Sequence, residues 1–181
     1  MILYENIIFD ENECEFLRNP SEEFVQSYFK GGVNQKGYNL TKRNSFVSHI
    51  MIKENSDMMN KIKLAFKSFG YELLKNEIEA EVYKYNKGNF IVRHTDVDPF
   101  DTQRFCVCVG QITRPENYEG GQFNSYIGNE KIGMKKDLGN FLIITPETPH
   151  EVEEVVDGER ISLIISIENK DVKSISKKSI L

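Results

Sequence analysis

Two of the three histidines in this sequence have neighbours that indicate metal chemistry. His94 is followed two positions later by Asp96, and residues two apart on a β-strand point to the same side of the sheet. His150 follows Pro149 much later in the chain, where a return strand could bring it to the same point. Two imidazoles and one carboxylate leave three positions open on an octahedral metal, as in non-haem Fe(II) sites. A zinc ion with three protein ligands and one water would use the same atoms.

An arginine ten residues after His150 adds a second kind of site. In the segment GERISLIISI, Arg160 and Ser162 share one face of a predicted strand. Its other face carries an apolar set that is expected to pack in the core: Ile161, Leu163, Ile165 and Ile167. A guanidinium fork matches a carboxylate in a bidentate manner, so Arg160 beside a metal would suit a dicarboxylate co-substrate. Without the metal residues upstream, a surface salt bridge would be the better interpretation of Arg160 alone.

Composition limits the class of protein. The chain has 181 residues, 39% hydrophobic and 28% charged, which is typical of one soluble globular domain. A net charge of -5 argues against nucleic-acid or anionic-membrane partners. The three cysteines are odd in number and unsuited to a disulfide framework, so we expect them to be reduced. The first residues include no basic region followed by an apolar one, and we therefore expect a cytoplasmic protein with no membrane span.

The first third of the chain reads as mostly helical. Asp10 with Glu13 forms a capping-box pattern and predicts a helix start. Ser21, which precedes two glutamates, predicts a second start. Apolar residues at helical spacing predict a helix from Asp57 to Phe69, before a glycine. The Gly- and Asn-rich segment 31–46 reads as a long loop.

From residue 71 onward, short β-rich runs alternate with turn residues. Eight strands are predicted, near 78–85, 90–96, 104–112, 122–127, 131–136, 140–145, 150–156 and 160–167. This order predicts an α+β protein in which a double-stranded β-helix, or jelly roll, is backed by N-terminal helices. We expect a single domain over residues 1–181, with helical support over about 1–70, the jelly-roll core over about 71–168 and a solvated polar tail over 169–181.

Four segments in order resemble the 2-oxoglutarate and Fe(II)-dependent oxygenases, in particular their prolyl-hydroxylase-like branch. The segment IIFDENECEFL resembles the opening strand and helix of that family, and YNKGNFIVRHTD its tyrosine–glycine–HxD segment. NYEGGQF is similar to its Gly-Gly turn, and DLGNFLIITPETPHEVEEVVDGERISLIISI to its closing half. HxD alone would be a weak signal, whereas HxD, GG, PHEV and GERxS in this order and at these intervals are specific.

The resemblance implies a role for each matching residue. His94, Asp96 and His150 would be the iron ligands, and Arg160 would hold the far carboxylate of 2-oxoglutarate with help from Ser162. Tyr85 matches a tyrosine that is often near the co-substrate. Three further residues fall on the substrate side: Arg104, Gln111 and Arg43. His49 is interpreted as structural or surface-exposed, and the segments Gly31–Phe46 and Val97–Gln103 are expected to close over the substrate.

The implied reaction is hydroxylation of an amino-acid side chain, free or in a peptide, with proline the leading substrate. Fe(II) would be the bound metal, and 2-oxoglutarate and O2 would be consumed, with ascorbate as a candidate reductant. Succinate and CO2 would be released. Asp96 argues against a halogenase, in which halide replaces the carboxylate. No second arginine follows the clamp in Ser162–Glu168, which argues against a nucleic-acid demethylase. Two alternatives stay open: a metal-dependent hydrolase on the same three ligands, and a metal-free jelly-roll binding module.

Overall fold

The computed structural model describes residues 1–27, 29–30, 36–37, 40–97 and 103–175, and for 29–30 and 36–37 it describes the backbone. Within these residues there are two α-helices, α1 (Glu11–Arg18) and α2 (Asp57–Ser68). The strands, in chain order, are β1 (Ile2–Ile7), β2 (Val25–Gln26), β3 (Phe29–Lys30), β4 (Lys36–Gly37), β5 (Arg43–Asn44), β6 (Phe46–Ile52), β7 (Tyr71–Leu73), β8 (Ile78–Asn86), β9 (Phe90–His94), β10 (Arg104–Gln111), β11 (Tyr118–Gly120), β12 (Phe123–Ile127), β13 (Glu130–Gly133), β14 (Asn140–Ile144), β15 (His150–Val152), β16 (Val155–Glu168) and β17 (Val172–Ser174).

Two antiparallel sheets form the body of the molecule. The major sheet has the order β1-β14-β10-β16-β8-β6-β2, with β11 added beside β16, and the minor sheet has the order β13-β12-β15-β9-β5. Neighbours in space are distant in sequence, as the strand crossings of a jelly roll require. The predicted α+β jelly roll is therefore confirmed. Neither helix in the described part of the chain is long and apolar enough to cross a membrane.

Both predicted helices with strong end signals are present. The side chain of Asp10 accepts from the backbone N–H of Glu13, and the Glu13 side chain accepts from the backbone N–H of Asp10, which completes the capping box of α1. Ser56 caps α2, and Gly70 follows its end with a φ of 92°. Met59, Ile62 and Phe66 of α2 are fully buried against the outer face of the major sheet. Burial of each such side chain contributes about 1.5–3 kcal/mol.

The expectation of a mostly helical first third is wrong. Ser21 lies in a bend rather than at a helix start, and the chain after it forms β2. Val25 pairs with Val47, and the hydroxyl of Ser48 donates to the carbonyl of Glu22, so tertiary pairing with β6 overrides the local helix signal. β1 joins the major sheet beside β14, so the first 70 residues contribute strands as well as two helices.

The C-terminal residues 169–175 are not the solvated tail that the lysines suggested. Val172 to Ser174 pair with Tyr71 to Leu73, and the backbone N–H of Ile175 donates to the carbonyl of Gly70. Val172 also packs against the core under the helices. Backbone pairing thus outweighs a polar composition, while residues 176–181 lie outside the described part of the chain.

The alternation predicted for β16 is confirmed and separates two cores. Ile161, Leu163, Ile165 and Ile167 are at most 7% exposed and pack with the helices. Arg160 and Ser162 point to the opposite side, between the two sheets, where Tyr83, Tyr85, Val107 and other residues form a second apolar cluster. This inner space is the one into which the metal residues also project.

Candidate active site

The three predicted metal ligands converge. Strands β9 and β15 are antiparallel neighbours, and their register places His150 directly opposite His94. The Nε2 atom of His94 lies 3.7 Å from Oδ1 of Asp96, and the Nε2 atom of His150 lies 3.4 Å from Oδ2 of the same carboxylate. The ligand atoms all lie within 4.8 Å of one another, close enough to share one ion after small side-chain movements. Among the described residues, this is the cluster of metal-ligating side chains that the structure brings together.

Each imidazole is oriented by its own strand. Nδ1 of His94 is 2.9 Å from the carbonyl oxygen of Val92, and Nδ1 of His150 is 2.9 Å from that of Thr148. A carbonyl can only accept, so Nδ1 carries the proton and donates in both rings. The Nε2 lone pairs are therefore directed at the common point, and the rings are held as metal-binding histidines usually are.

The electrostatics of His94 favour a neutral ligand. Burial and the neighbouring His150 lower the pKa of His94 from its usual value to about 4. At neutral pH its ring is uncharged, and its contact with Asp96 is not an ion pair. Two imidazoles beside one carboxylate form a donor set that fits a divalent iron ion, so the chemistry of the residues supports the predicted metal.

Arg104 contacts the carboxylate ligand. Its Nη1 atom donates to the backbone carbonyl of Asp96 at 3.2 Å and lies 3.7 Å from Oδ1 of that residue. The backbone N–H of Asp96 donates to the carbonyl of Pro146, so the ligand is held from two sides. The sequence predicted Arg104 on the substrate side, and the structure adds a contact that positions Asp96.

We expect Arg104→Met to weaken metal binding by roughly tenfold, because partners of metal ligands typically contribute 10- to 100-fold and this one is partly exposed. The measurement is the affinity for Fe(II) or Mn(II) under anaerobic conditions. Arg93→Met is a matched control, because the Arg93 guanidinium lies 3.9 Å from the Tyr126 ring centroid. Equal affinities in all three proteins would remove Arg104 from this role.

The predicted co-substrate clamp is entirely buried. Arg160 is 0% exposed, its Nη1 atom donates to the Ser162 hydroxyl at 3.2 Å, and its guanidinium carbon lies 5.3 Å from the Tyr85 ring centroid. Its Nε and Nη2 atoms are buried and have no hydrogen-bond partner. A buried charge with unused donors is costly unless an anion completes it. The residues therefore fit a carboxylate ligand at this position.

Tyr85 lies beside Arg160. Its Cα is the cross-strand partner of Arg160, and its side chain is 2% exposed. Burial raises the pKa of Tyr85, against the opposing charge of Arg160, so the phenol stays protonated and can donate to an anion. Ser162 is also buried, so Arg160, Tyr85 and Ser162 together line one end of the space between the sheets.

The Gly-Gly turn packs directly on Arg160. Gly121 has a φ of 56°, and a Cβ at this position would lie 3.1 Å from Cδ of Arg160 and 2.9 Å from a methyl carbon of Val155. Glycine allows both this left-handed backbone and this close approach. The turn that the NYEGGQF segment predicted therefore packs on the clamp.

We expect Gly121→Ala to destabilise the protein by about 1–3 kcal/mol and to weaken 2-oxoglutarate binding, because the methyl group must displace Arg160 or Val155. Gly128→Ala is the matched control: its φ is 61°, but nothing lies within 4 Å of its added Cβ. Thermal unfolding and co-substrate titration of both variants separate the shared backbone cost from the contact. Identical losses in the two variants would contradict a role of Gly121 in placing Arg160.

The other two predicted substrate-side residues, Gln111 and Arg43, lie in different parts of the structure. Gln111 is 2% exposed and donates to the carbonyl of Thr113 and to the hydroxyl of Tyr118, so its amide hydrogens are used inside the protein. Arg43 pairs across strands with Ile91, near the metal ligands, and its Nη1 atom donates to the Tyr83 hydroxyl at 3.4 Å.

Sequence reasoning missed two polar side chains near the clamp. The Tyr118 ring lies 4.9 Å from the ammonium of Lys136, and its hydroxyl accepts from Gln111. Neither residue has a spacing signal of its own, because Tyr118 begins the three-residue strand β11 and Lys136 lies in the connection between β13 and β14. His49 lies outside the metal cluster, as expected. Its Nδ1 atom is 3.8 Å from Oε1 of Glu79.

Comparison with known proteins agrees with this geometry. The sequence profile of the 2OG-Fe(II) oxygenase superfamily matches residues 80–167, which contain all three metal ligands and Arg160. No curated protein matches the sequence significantly. The fold resembles that of a Pseudomonas putida prolyl-4-hydroxylase, with a TM-score of 0.64, 19% identity and 92% of each chain covered.

Two further solved structures have the same fold. A viral collagen prolyl hydroxylase from Paramecium Bursaria Chlorella virus-1, in a 2OG complex, has a TM-score of 0.60 at 20% identity, covering 91% of this chain and 94% of that one. A Trichoplax adhaerens prolyl hydroxylase, in complex with a hypoxia inducible factor peptide, has a TM-score of 0.55 at 15% identity, covering 80% and 72%. Residues 80–167 therefore form a 2OG-Fe(II) oxygenase domain, which uses Fe(II), 2-oxoglutarate and O2.

Proposed function

We propose that this oxygenase hydroxylates an amino-acid side chain, with a prolyl residue in a peptide or protein as the leading substrate. One observation carries the class of chemistry: three metal donors within 4.8 Å of one another share the inner space with a buried arginine that has two unused donor atoms. A metal-dependent hydrolase or a metal-free binding module has no need of that second group. The prolyl substrate is supported by the fold, which is that of prolyl hydroxylases.

Different residues of the chain would hold the metal and the co-substrate. His94, Asp96 and His150 would hold Fe(II), and Arg160, Ser162 and Tyr85 would orient 2-oxoglutarate through its far carboxylate. When bound, the iron and the co-substrate supply the oxidising chemistry, with succinate and CO2 as expected products. The apolar residues of the inner cluster exclude water from this space. They include Phe123, whose ring is stacked on that of His150 with 5.4 Å between the ring centroids.

Arg43 and Arg104 are proposed to face the substrate. Arg43 has a buried Nε atom without a hydrogen-bond partner, so its donor could meet a substrate carbonyl. Arg104 is partly exposed beside Asp96 and could do the same from the other side. In the two segments that were expected to close over the substrate, residues 31–35, 38–39 and 98–102 lie outside the described part of the chain.

The decisive experiment is a 2-oxoglutarate decarboxylation screen of the iron-loaded protein. Substrates are proline-containing peptides, the same peptides with alanine in place of proline, and the free amino acids. We expect a proline-containing peptide to stimulate succinate release and to gain one oxygen atom by mass spectrometry. Stimulation by a free amino acid alone would replace the peptidyl substrate with a small molecule. Stimulation only by nucleobases, sugars or lipids would show that the proposed substrate class is wrong.

A further inference from the structure

A lysine that the metal ligands and Arg160 do not use lies beside the Gly120–Gly121 turn. Lys136 is in the connection between β13 and β14, and its ammonium donates to the carbonyl of Gly120 at 2.7 Å. It also lies 4.9 Å from the ring centroid of Tyr118, a residue of the inner apolar cluster. The aromatic ring and the carbonyl hold the charge in place rather than leaving it free in solvent.

This ammonium is separated from Arg160 by a single backbone turn. Gly121, the residue after the carbonyl that Lys136 binds, packs directly on Cδ of Arg160. On the other side, the Tyr118 hydroxyl accepts from Gln111, whose Cα is the cross-strand partner of Ser162. Lys136 and Arg160 thus approach the same end of the space between the sheets.

The two cations have no anion between them. Arg160 has no carboxylate partner and two unused buried donors, and Lys136 has no ion pair within the described part of the chain. Burial and the charge of Arg160 both lower the pKa of Lys136, while Glu153, in the turn between β15 and β16, opposes them. Two like charges, one buried and one partly desolvated, destabilise the ligand-free protein and favour a ligand that brings negative charge to them.

We propose that Lys136 is a second cation for the far carboxylate of 2-oxoglutarate, and that it makes the pocket selective for 2-oxo acids with a carboxylate at both ends. This inference rests on the use of 2-oxoglutarate as co-substrate. Lys136 acts from across the Gly120–Gly121 turn, so it contributes charge, whereas Arg160 contributes the fork of hydrogen bonds.

The test compares two ligands of equal length, 2-oxoglutarate and 2-oxopentanoate, which has a methyl group in place of the far carboxylate. Both are titrated into the Fe(II)-loaded protein under anaerobic conditions, with wild type, Lys136→Met, Lys136→Arg and Lys135→Met. Lys135 is the exposed neighbour, so its variant has the same change in net charge.

We expect Lys136→Met to bind 2-oxoglutarate about tenfold more weakly, because it removes one partly desolvated positive charge near the far carboxylate, and to bind 2-oxopentanoate as wild type does. Lys136→Arg is expected to retain most of the affinity, and Lys135→Met all of it. An equal loss for both ligands, or no loss for either, would overturn the proposal, and the unchanged 2-oxopentanoate affinity shows that the variant is folded. If wild type bound no 2-oxoglutarate at all, the oxygenase assignment itself would fail, which is a distinct result.

Discussion

Replacing His94, Asp96 or His150 with alanine is expected to abolish iron-dependent turnover. The three side chains supply all the donor atoms of the metal cluster, and partners one step further out already contribute 10- to 100-fold to metal affinity. Loss of a ligand itself should therefore weaken Fe(II) binding by more than about a hundredfold. The measurements are iron content after dialysis and 2-oxoglutarate decarboxylation, with and without substrate.

His49→Ala is the matched control for this series. His49 is the remaining histidine of the chain, lies near Glu79 and is outside the metal cluster. Its variant should keep full iron content and activity. His150 is 6% exposed and stacks on Phe123, so its alanine variant also needs a thermal unfolding measurement. A folded alanine variant that still held one iron ion per chain would show that the cluster is not the metal site.

Arg160→Ala is expected to weaken 2-oxoglutarate binding by roughly 30-fold to several thousand-fold. Truncating one partner of a buried, hydrogen-bonded charge pair costs roughly 2–5 kcal/mol, and about 1.4 kcal/mol corresponds to a tenfold change. Iron affinity should change little, because Arg160 is not a ligand. The measurement is 2-oxoglutarate affinity of the iron-loaded protein without oxygen.

Two variants test which property of Arg160 and Ser162 causes that loss of affinity, and a third tests the stability of the ligand-free protein. Arg160→Lys keeps the charge but not the fork, so it should lose less than the alanine variant. Ser162→Ala should cost about 1 kcal/mol, the share of one hydrogen bond. Arg160→Met should leave the ligand-free protein at least as stable as wild type, because it replaces a buried charge that has two unpartnered atoms with an apolar side chain. An Arg160→Ala protein with wild-type affinity would support the hydrolase alternative.

Much of the fold could be predicted because local signals agreed with the tertiary structure. The capping box at Asp10 and the apolar spacing of α2 each describe a feature that one segment fixes by itself. The alternation in β16 predicted which residues would face the helices, since a strand has two faces and only one of them was continuously apolar. The prediction failed at Ser21 and at Val172, where pairing with β6 and β7 decides the structure and no local pattern reveals the partner.

The candidate site, too, could be predicted in part from local sequence signals and in part depends on tertiary pairing. The spacing of His94 and Asp96 on one strand, the long-range His150 and the position of Arg160 were sufficient to nominate four residues from the sequence. Their convergence depends on the pairing of β9 with β15, which lies in the tertiary structure alone. So do the contacts of Arg104 with Asp96 and of Lys136 with the Gly120 carbonyl. Sequence determines which side chains can bind a metal and a carboxylate, whereas register and packing determine which distant polar groups lie within a few ångströms of them.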